Sequence, residues 1–364
     1  MPRVLVDLLF FTGTKGGMES YVERMYSAMP EGTGFDFTAL ISREAESMDL
    51  SWFPGDVLPS GVSGENRVAW AVGEIRNVAR AARRIGADLI HSPANLGPIR
   101  TSVPLVLTVH DVLPFVHPEW VPGRYGAALR WLIRRAAKAA TRLVTISEAS
   151  AADITRELGV PRDRIDIVPL SGDDDVAPSG SPAAAERPLA LMIGNRMPHK
   201  NGETLVRALA ALEPDRRPRL AITGGVAGRD PLRELATDLG IEPDIDFVGW
   251  VSPGELEDLF RQSSFVAFPT RFEGFGIPVL EAMARGRAVV CSDIPVLHEV
   301  AGDAAVYLPP TDTAAWAEAL AELPWNRTRL HALESAGVER AREFSWQRTA
   351  GGVLDAFQRA LAER

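Results

Sequence analysis

Cysteine is nearly absent. Cys291 is the one thiol in 364 residues, so no intrachain disulfide can form and secretion gains no support. It sits in the apolar run 288–291, where a small core residue is expected rather than a nucleophile. Lysine is scarce too: Lys15, Lys138 and Lys200 are the only three among 39 basic residues. A long apolar run is missing. Val4–Phe11 is broken by Asp7 and falls short of the roughly 20 apolar residues that span a bilayer. The start also lacks the charged region and cleavage site of a signal peptide, which makes the cytoplasm the expected compartment. Positive charge is in deficit, with a formal net charge of −9, and this argues against a nucleic-acid partner.

What is present is globular. Hydrophobic residues make up 46% and charged residues 24%, and the length suits two domains. Short apolar runs alternate with Ala/Leu/Arg-rich helical stretches. Strands are predicted at 3–11, 35–41, 88–91, 105–110, 142–146 and 166–168. A second set is predicted at 189–193, 219–223, 246–248, 265–268, 288–292 and 304–308. Helices are predicted between them, among them 72–85, 125–140, 203–212, 231–239, 254–262, 278–284 and 314–323. Near-continuous apolar strands alternating with helices imply parallel sheets covered on both faces. The fold class is therefore α/β, with two Rossmann-like doubly wound domains facing across a cleft. The segment 171–188, rich in Pro, Gly, Ser and Ala, reads as the linker, and its Asp173–Asp175 run as solvated charge rather than metal ligands. The domains are then 1–178 and 179–344. A last helix lies within 345–364, and periodicity does not say which half it packs on.

Ligands of doubly wound sheets bind at the loops leaving the strands' carboxyl ends. Four such loops stand out. In the first, Thr12–Glu19, Gly16 and Gly17 let backbone N–H groups approach an anion, as any tight turn also would. His110 ends a buried strand, where it can donate a hydrogen bond or share developing charge, or serve structure alone. The following His117, Glu119 and Trp120 suit a sugar-facing loop or plain packing. Arg196 and Lys200 share one loop ahead of a helix, a favourable setting for a diphosphate. The segment 269–286 is the most specific. Gly274 and Gly276 precede a helix that opens with Pro278, and Glu273 and Glu281 flank its start, placed to grip hydroxyls on either side of a diphosphate.

The E-x7-E pair Glu273–Glu281 with its surroundings, the GNRMPHKN loop, the GGME loop, Val109-His110-Asp111 and TISEAS together resemble the retaining family 4 glycosyltransferases of GT-B fold. The likeness runs over nearly the whole chain. It is strongest to mannosyltransferases of surface-polysaccharide assembly. The resemblance implies a catalytic set of His110, Glu273, Arg196 and Lys200, with His110 facing the sugar, Glu273 gripping it, and the two cations neutralising the leaving diphosphate. It implies that Glu281 binds the ribose and that Gly16 and Gly17 close over the phosphates. The backbone of Gly274, Phe275, Gly276 and Ile277 would touch sugar and phosphate, and Phe247–Ser252, with Val248 and Gly249, would line the base. It implies a nucleotide-diphosphate sugar as donor, no cofactor and no metal, and a last helix that crosses back to the first domain. GDP-mannose is the favoured donor, with UDP-glucose, UDP-N-acetylglucosamine and dTDP-deoxysugars open. The acceptor is a glycan, a lipid-linked sugar or a small molecule.

Arg130, Arg134, Arg135, Lys138 and Arg142 follow one another without an intervening acid, while residues 1–178 balance at −3. Such a stripe suits an anionic membrane surface, and hence a peripheral position at its inner face, or a solvated helix face. Two other functions fit the same fold: a two-lobed nucleotide-sugar binding protein, and a nucleotide-sugar epimerase.

Overall fold

The computed structural model describes residues 1–363 apart from Lys15, Asp174, Asp175, 181–186 and Ala227. Thus Lys15 of the first loop and much of the expected linker lie outside the described residues. Two compact units emerge, Met1–Leu170 with Ser345–Arg364, and Ser171–Phe344.

The first unit holds an all-parallel sheet of seven strands: β1 (Arg3–Leu8), β2 (Asp36–Ile41), β3 (Gly55–Pro59), β4 (Leu89–Ser92), β5 (Leu105–Thr108), β6 (Arg142–Thr145) and β7 (Ile165–Ile167). Their order is β3-β2-β1-β4-β5-β6-β7. The connections contain α1 (Gly17–Ser27), α2 (Arg67–Ile85), α3 (Leu113–Val116), α4 (Gly123–Ala139) and α5 (Glu148–Leu158). The second unit holds β8 (Leu189–Met192), β9 (Arg219–Thr223), β10 (Ile245–Gly249), β11 (Ser263–Phe268), β12 (Ala288–Ser292) and β13 (Val306–Leu308). These are also parallel, in the order β10-β9-β8-β11-β12-β13. Its helices are α6 (Gly202–Ala210), α7 (Pro231–Asp238), α8 (Pro253–Gln262), α9 (Ile277–Ala284), α10 (Pro295–Ala301), α11 (Thr313–Glu322) and α12 (Arg327–Ala341). The last helix, α13 (Trp346–Ala362), returns to the first unit. Each unit is thus the doubly wound α/β form expected. In each, the winding reverses at one place, between β1 and β4 and between β8 and β11.

Local sequence sets the boundaries. The side chain of Asn66 accepts from Val68 N and Ala69 N to open α2, and Gly86, at φ 64°, closes it. Ser252 and Glu255 form a reciprocal capping box on α8. Ser345 caps α13 just after the break at Phe344. Strand β3 is the element the hydrophobic pattern does not announce. It is an edge strand with exposed residues and a terminal proline. Its pairing with β2 requires Gly55, because a Cβ there would lie 2.2 Å from Phe37 O.

Residues 171–178, read from sequence with the first half, belong to the second unit. Asp173 pairs with Arg285 at 2.6 Å, and Gly172 lies close against the α9 backbone, where a Cβ would stand 3.2 Å from Glu281 N. Arg142 also departs from its reading. Helix α4 ends at Ala139, so Arg142 is not part of the stripe; it opens β6 and is 7% exposed. Its guanidinium forks onto Asp166 at 2.6 and 2.9 Å and also reaches Glu363. Asp166 in turn holds Arg359 of α13. Phe357 of α13 packs edge-on against His91 at 5.0 Å, and Thr349 donates to Pro169 O at 2.7 Å.

Candidate active site

In the second unit the two loops at the reversal point bear Lys200 and Glu273. The loop after β8 turns at Gly194, φ 148°, and the methylenes of Lys200 lie 3.6–3.8 Å from where a Gly194 Cβ would stand. Nζ of Lys200 meets Oε1 of Glu273, on the loop after β11, at 2.6 Å. Both side chains are largely covered, at 16% and 12% exposure. The structure therefore brings together two of the residues singled out in sequence, one from each side of the reversal point.

Two further residues hold these loops in place. Asn201 adopts φ 58°, and its amide donates to Pro269 O at 2.8 Å and Pro310 O at 2.7 Å. The carbonyl of His199 accepts from Thr270 Oγ1 at 3.1 Å and from Arg271 N at 2.7 Å. Asn201 escaped the sequence reading, although Asn201-Gly202 is a turn signal. Beyond the second loop, Gly276 takes φ 117° at the start of α9, and a Cβ there would lie 2.7 Å from Leu297 Cδ2. No side chain caps α9, so its N-terminal dipole stays available to an anion. Gly274 is buried, Phe275 turns its ring into the core against Phe344, and Ile277 and Glu281 are partly buried. Val248 is 39% exposed at the end of β10, and Gly249 O accepts from Gly224 N at 2.6 Å.

Arg196 differs from its sequence reading. Its side chain is 1% exposed. Nε donates to Asp230 at 3.1 Å, Nη2 to Ile222 O at 3.2 Å, and Nη1 to Thr223 O. All three nitrogens serve the end of β9 and the start of α7, so the guanidinium is engaged in holding the fold rather than presented as a fork for phosphate. Arg271, two residues ahead of Glu273, is exposed and makes no ion pair with any described residue.

In the first unit His110 follows β5 and is 8% exposed. Its Nε2 lies 2.9 Å from Pro93 O, and its ring meets Tyr21 edge-on at 4.7 Å. A carbonyl only accepts, so Nε2 carries the proton and the lone pair is on Nδ1. Burial pulls the imidazole down to about 4, which keeps it neutral. His110 can therefore accept a hydrogen bond through Nδ1, whereas the donor foreseen from sequence is already taken. Asn95, at φ 61°, accepts from His110 N at 2.7 Å and fixes this main chain.

Gly16 precedes α1 at φ 62°, and Gly17 opens the helix. Glu19, unremarked in the sequence, accepts from Thr12 N at 2.5 Å and Gly13 N at 3.0 Å and so shapes this loop. His117 stacks on Trp120 at 3.9 Å and covers one face of the indole. Cys291 is fully buried, and burial pushes its thiol well above the usual range.

Comparison with known proteins places this arrangement. The family model "Glycosyl transferases group 1" matches residues 174–340, and "Glycosyltransferase Family 4" matches 15–175. The chain is 33% identical over 284 residues to a D-inositol 3-phosphate glycosyltransferase of Nocardia farcinica, covering 72% of this chain and 63% of that protein. It is 30% identical to O-antigen chain mannosyltransferase B of Escherichia coli, over 70% of each chain. Among solved structures, Anabaena HepE in complex with UDP-glucose superposes with a TM-score of 0.75 at 16% identity, over 99% of this chain and 100% of that one. The chain belongs to the family 4 glycosyltransferases and is a glycosyltransferase.

Proposed function

We propose that the protein transfers a hexose from a nucleoside-diphosphate sugar with retention of anomeric configuration and without a metal ion. Mannose from GDP-mannose is the favoured donor, and a glycan, lipid-linked or small-molecule hydroxyl is the acceptor. The observation that carries this reading is Lys200 against Glu273, 2.6 Å apart across the reversal point, beside the uncapped start of α9. A diphosphate supplies the anion that releases Lys200 from Glu273, and the freed carboxylate accepts from sugar hydroxyls.

In the reaction the bond from the anomeric carbon to the diphosphate oxygen breaks. The acceptor oxygen bonds to the same face, and its proton passes to the departing diphosphate. Lys200 and the α9 dipole stabilise the negative charge that develops there. Glu281, on the second turn of α9, takes the ribose, and the main chain of Val248 and Gly249 borders the base. The mannosyltransferase relative supports the choice of sugar, and the UDP-glucose complex of HepE supports the class of donor.

Thermal-shift measurements with GDP, UDP, ADP, dTDP and CMP, each with magnesium or with chelator, test this reading. A ligand at a hundredfold excess over Kd stabilises by about 2.7 kcal/mol. GDP is expected to raise the transition equally with magnesium and with chelator, and the product's anomeric NMR coupling should match the donor's. No shift with any nucleotide overturns the donor site; a shift that requires magnesium overturns metal independence.

A further inference from the structure

His110 is held by several elements of the first unit. Its N–H donates to Asn95 Oδ1 at 2.7 Å, its carbonyl accepts from Ser150 Oγ at 3.1 Å, and Nε2 donates to Pro93 O at 2.9 Å. These bonds fix the main chain and one corner of the ring. The tilt of the imidazole plane, and with it the direction of the Nδ1 lone pair, is left to whatever lies against the ring.

Tyr21 of α1 lies there. The two rings meet at 4.7 Å between centroids and at 85°, so the edge of one rests on the face of the other. Ring quadrupoles favour this arrangement, and tilting either ring weakens it. Tyr21 is 1% exposed, and its own place is fixed. Five residues further along α1, Tyr26 Oη is hydrogen-bonded to Nδ1 of His91, on β4, at 2.7 Å. The Tyr21 ring also lies 6.4 Å from that of Trp346, the first residue of α13. Trp346 is itself buried, with the Arg24 guanidinium 5.9 Å from its ring centroid.

The hydroxyl of Tyr21 has no share in this contact. It is buried beside Thr108 and makes no hydrogen bond of ordinary geometry. A buried hydroxyl left in that state is unfavourable, so the ring is the part of Tyr21 that acts on His110.

We infer that Tyr21 is a positioning residue, whose ring sets the plane of the His110 imidazole and keeps Nδ1 aimed as an acceptor. A group that meets a reacting sugar must be held to within about 0.5 Å and roughly 10–20°. One hydrogen bond at Nε2 leaves more freedom than that. The inference rests on the sugar-facing role that the family resemblance implies for His110, but its first readout needs no donor.

The experiment is proton–nitrogen correlation NMR of the full chain, isotope-labelled on its six histidines, with His110 assigned through His110→Gln. The variants are Tyr21→Phe, Tyr21→Leu, Tyr21→Met and Val22→Ala. Val22 is also buried on α1, and its variant shows what a loosened helix does by itself. Wild type, Tyr21→Phe and Val22→Ala are expected to show His110 as one Nε2–H tautomer. In Tyr21→Leu and Tyr21→Met the two ring nitrogens should converge in shift as the tautomers mix. Two non-aromatic variants are used so that one that fails to fold, by circular dichroism, is replaced by the other. With GDP-mannose as donor and GDP release as the readout, both should lower kcat about tenfold. KM should stay close to wild type, since Lys200 and the α9 dipole are untouched. An unchanged His110 spectrum in the non-aromatic variants, an equal change in Val22→Ala, or Tyr21→Phe behaving as they do each overturns the inference. Altered His110 resonances with unaltered turnover support the seating by Tyr21 and overturn instead the part given to His110 in transfer.

Discussion

Arg196 and Arg271 show how burial divides the work of two like side chains. Arg196 is 1% exposed, and its three nitrogens are bonded to Asp230, Ile222 O and Thr223 O. Removing one member of a buried charged network typically costs about 3–5 kcal/mol. Arg196→Gln is therefore expected to lower the melting temperature by several degrees, measured by calorimetry. Arg271 is exposed on the loop that carries Glu273. Arg271→Gln should leave the melting temperature unchanged, because the side chain is exposed and makes no ion pair with any described residue. If Arg196→Gln keeps full stability while only donor affinity falls, this division of roles is wrong.

Among the elements, α13 depends most on distant parts of the chain. Its ties to the first sheet run through Asp166, which accepts from Arg142 and Arg359, and through Phe357 on His91. Asp166→Asn takes a carboxylate from two guanidiniums, one of them in a site 7% exposed. A loss of about 3 kcal/mol is expected, and hydrogen exchange should accelerate first in α13 and β6. Exchange that rises evenly over the whole unit would show that α13 is not separately anchored. Strand β3 and helix α13 also mark what pattern alone can reveal. The amphipathic period of α13 was readable, but its partner lies far away in sequence. Strand β3 has neither an apolar run nor alternation, and is held by the room that Gly55 leaves for β2.

For the molecule as a whole, buried titratable groups shape stability against pH from both sides. His91 and His110 are buried neutral, with folded values of about 3 and about 4. Depressed values mean that their stability is present above the unfolded value of about 6.5 and is lost as pH falls toward 4. Asp7 and Glu74 face each other in the core, where burial raises both and Glu74 most, so the pair retains a proton. Raised carboxyls have the opposite sign: their stability is present below about pH 4 and is lost as pH rises through the folded values. Glu74→Gln keeps an acceptor for Trp70 Nε1 and supplies a donor toward Asp7. Urea unfolding at pH 5, 7 and 9 should therefore show a shallower alkaline decline in the variant. An unchanged slope would assign that decline to other groups.

The sequence by itself determined the α/β class, twelve of the thirteen strand positions among the described residues, and the loops that bear Lys200, Glu273 and His110. Buried parallel strands leave continuous apolar runs, and glycines before helix starts mark sites of close backbone approach. Only the tertiary structure decided which polar groups are available. Arg196 and Lys200 lie four residues apart in one loop, yet one is held beneath the end of β9 and the other meets Glu273. Asn201, Asn95 and Glu19 position these loops through bonds to backbone atoms, and although Asn201-Gly202 signals a turn, none of the three residue types names its partner. Arg142, the last residue of the basic run, was likewise reassigned by where α4 stops. A charge declares itself in sequence; its exposure and its partner are set by packing between segments that the chain brings together only on folding.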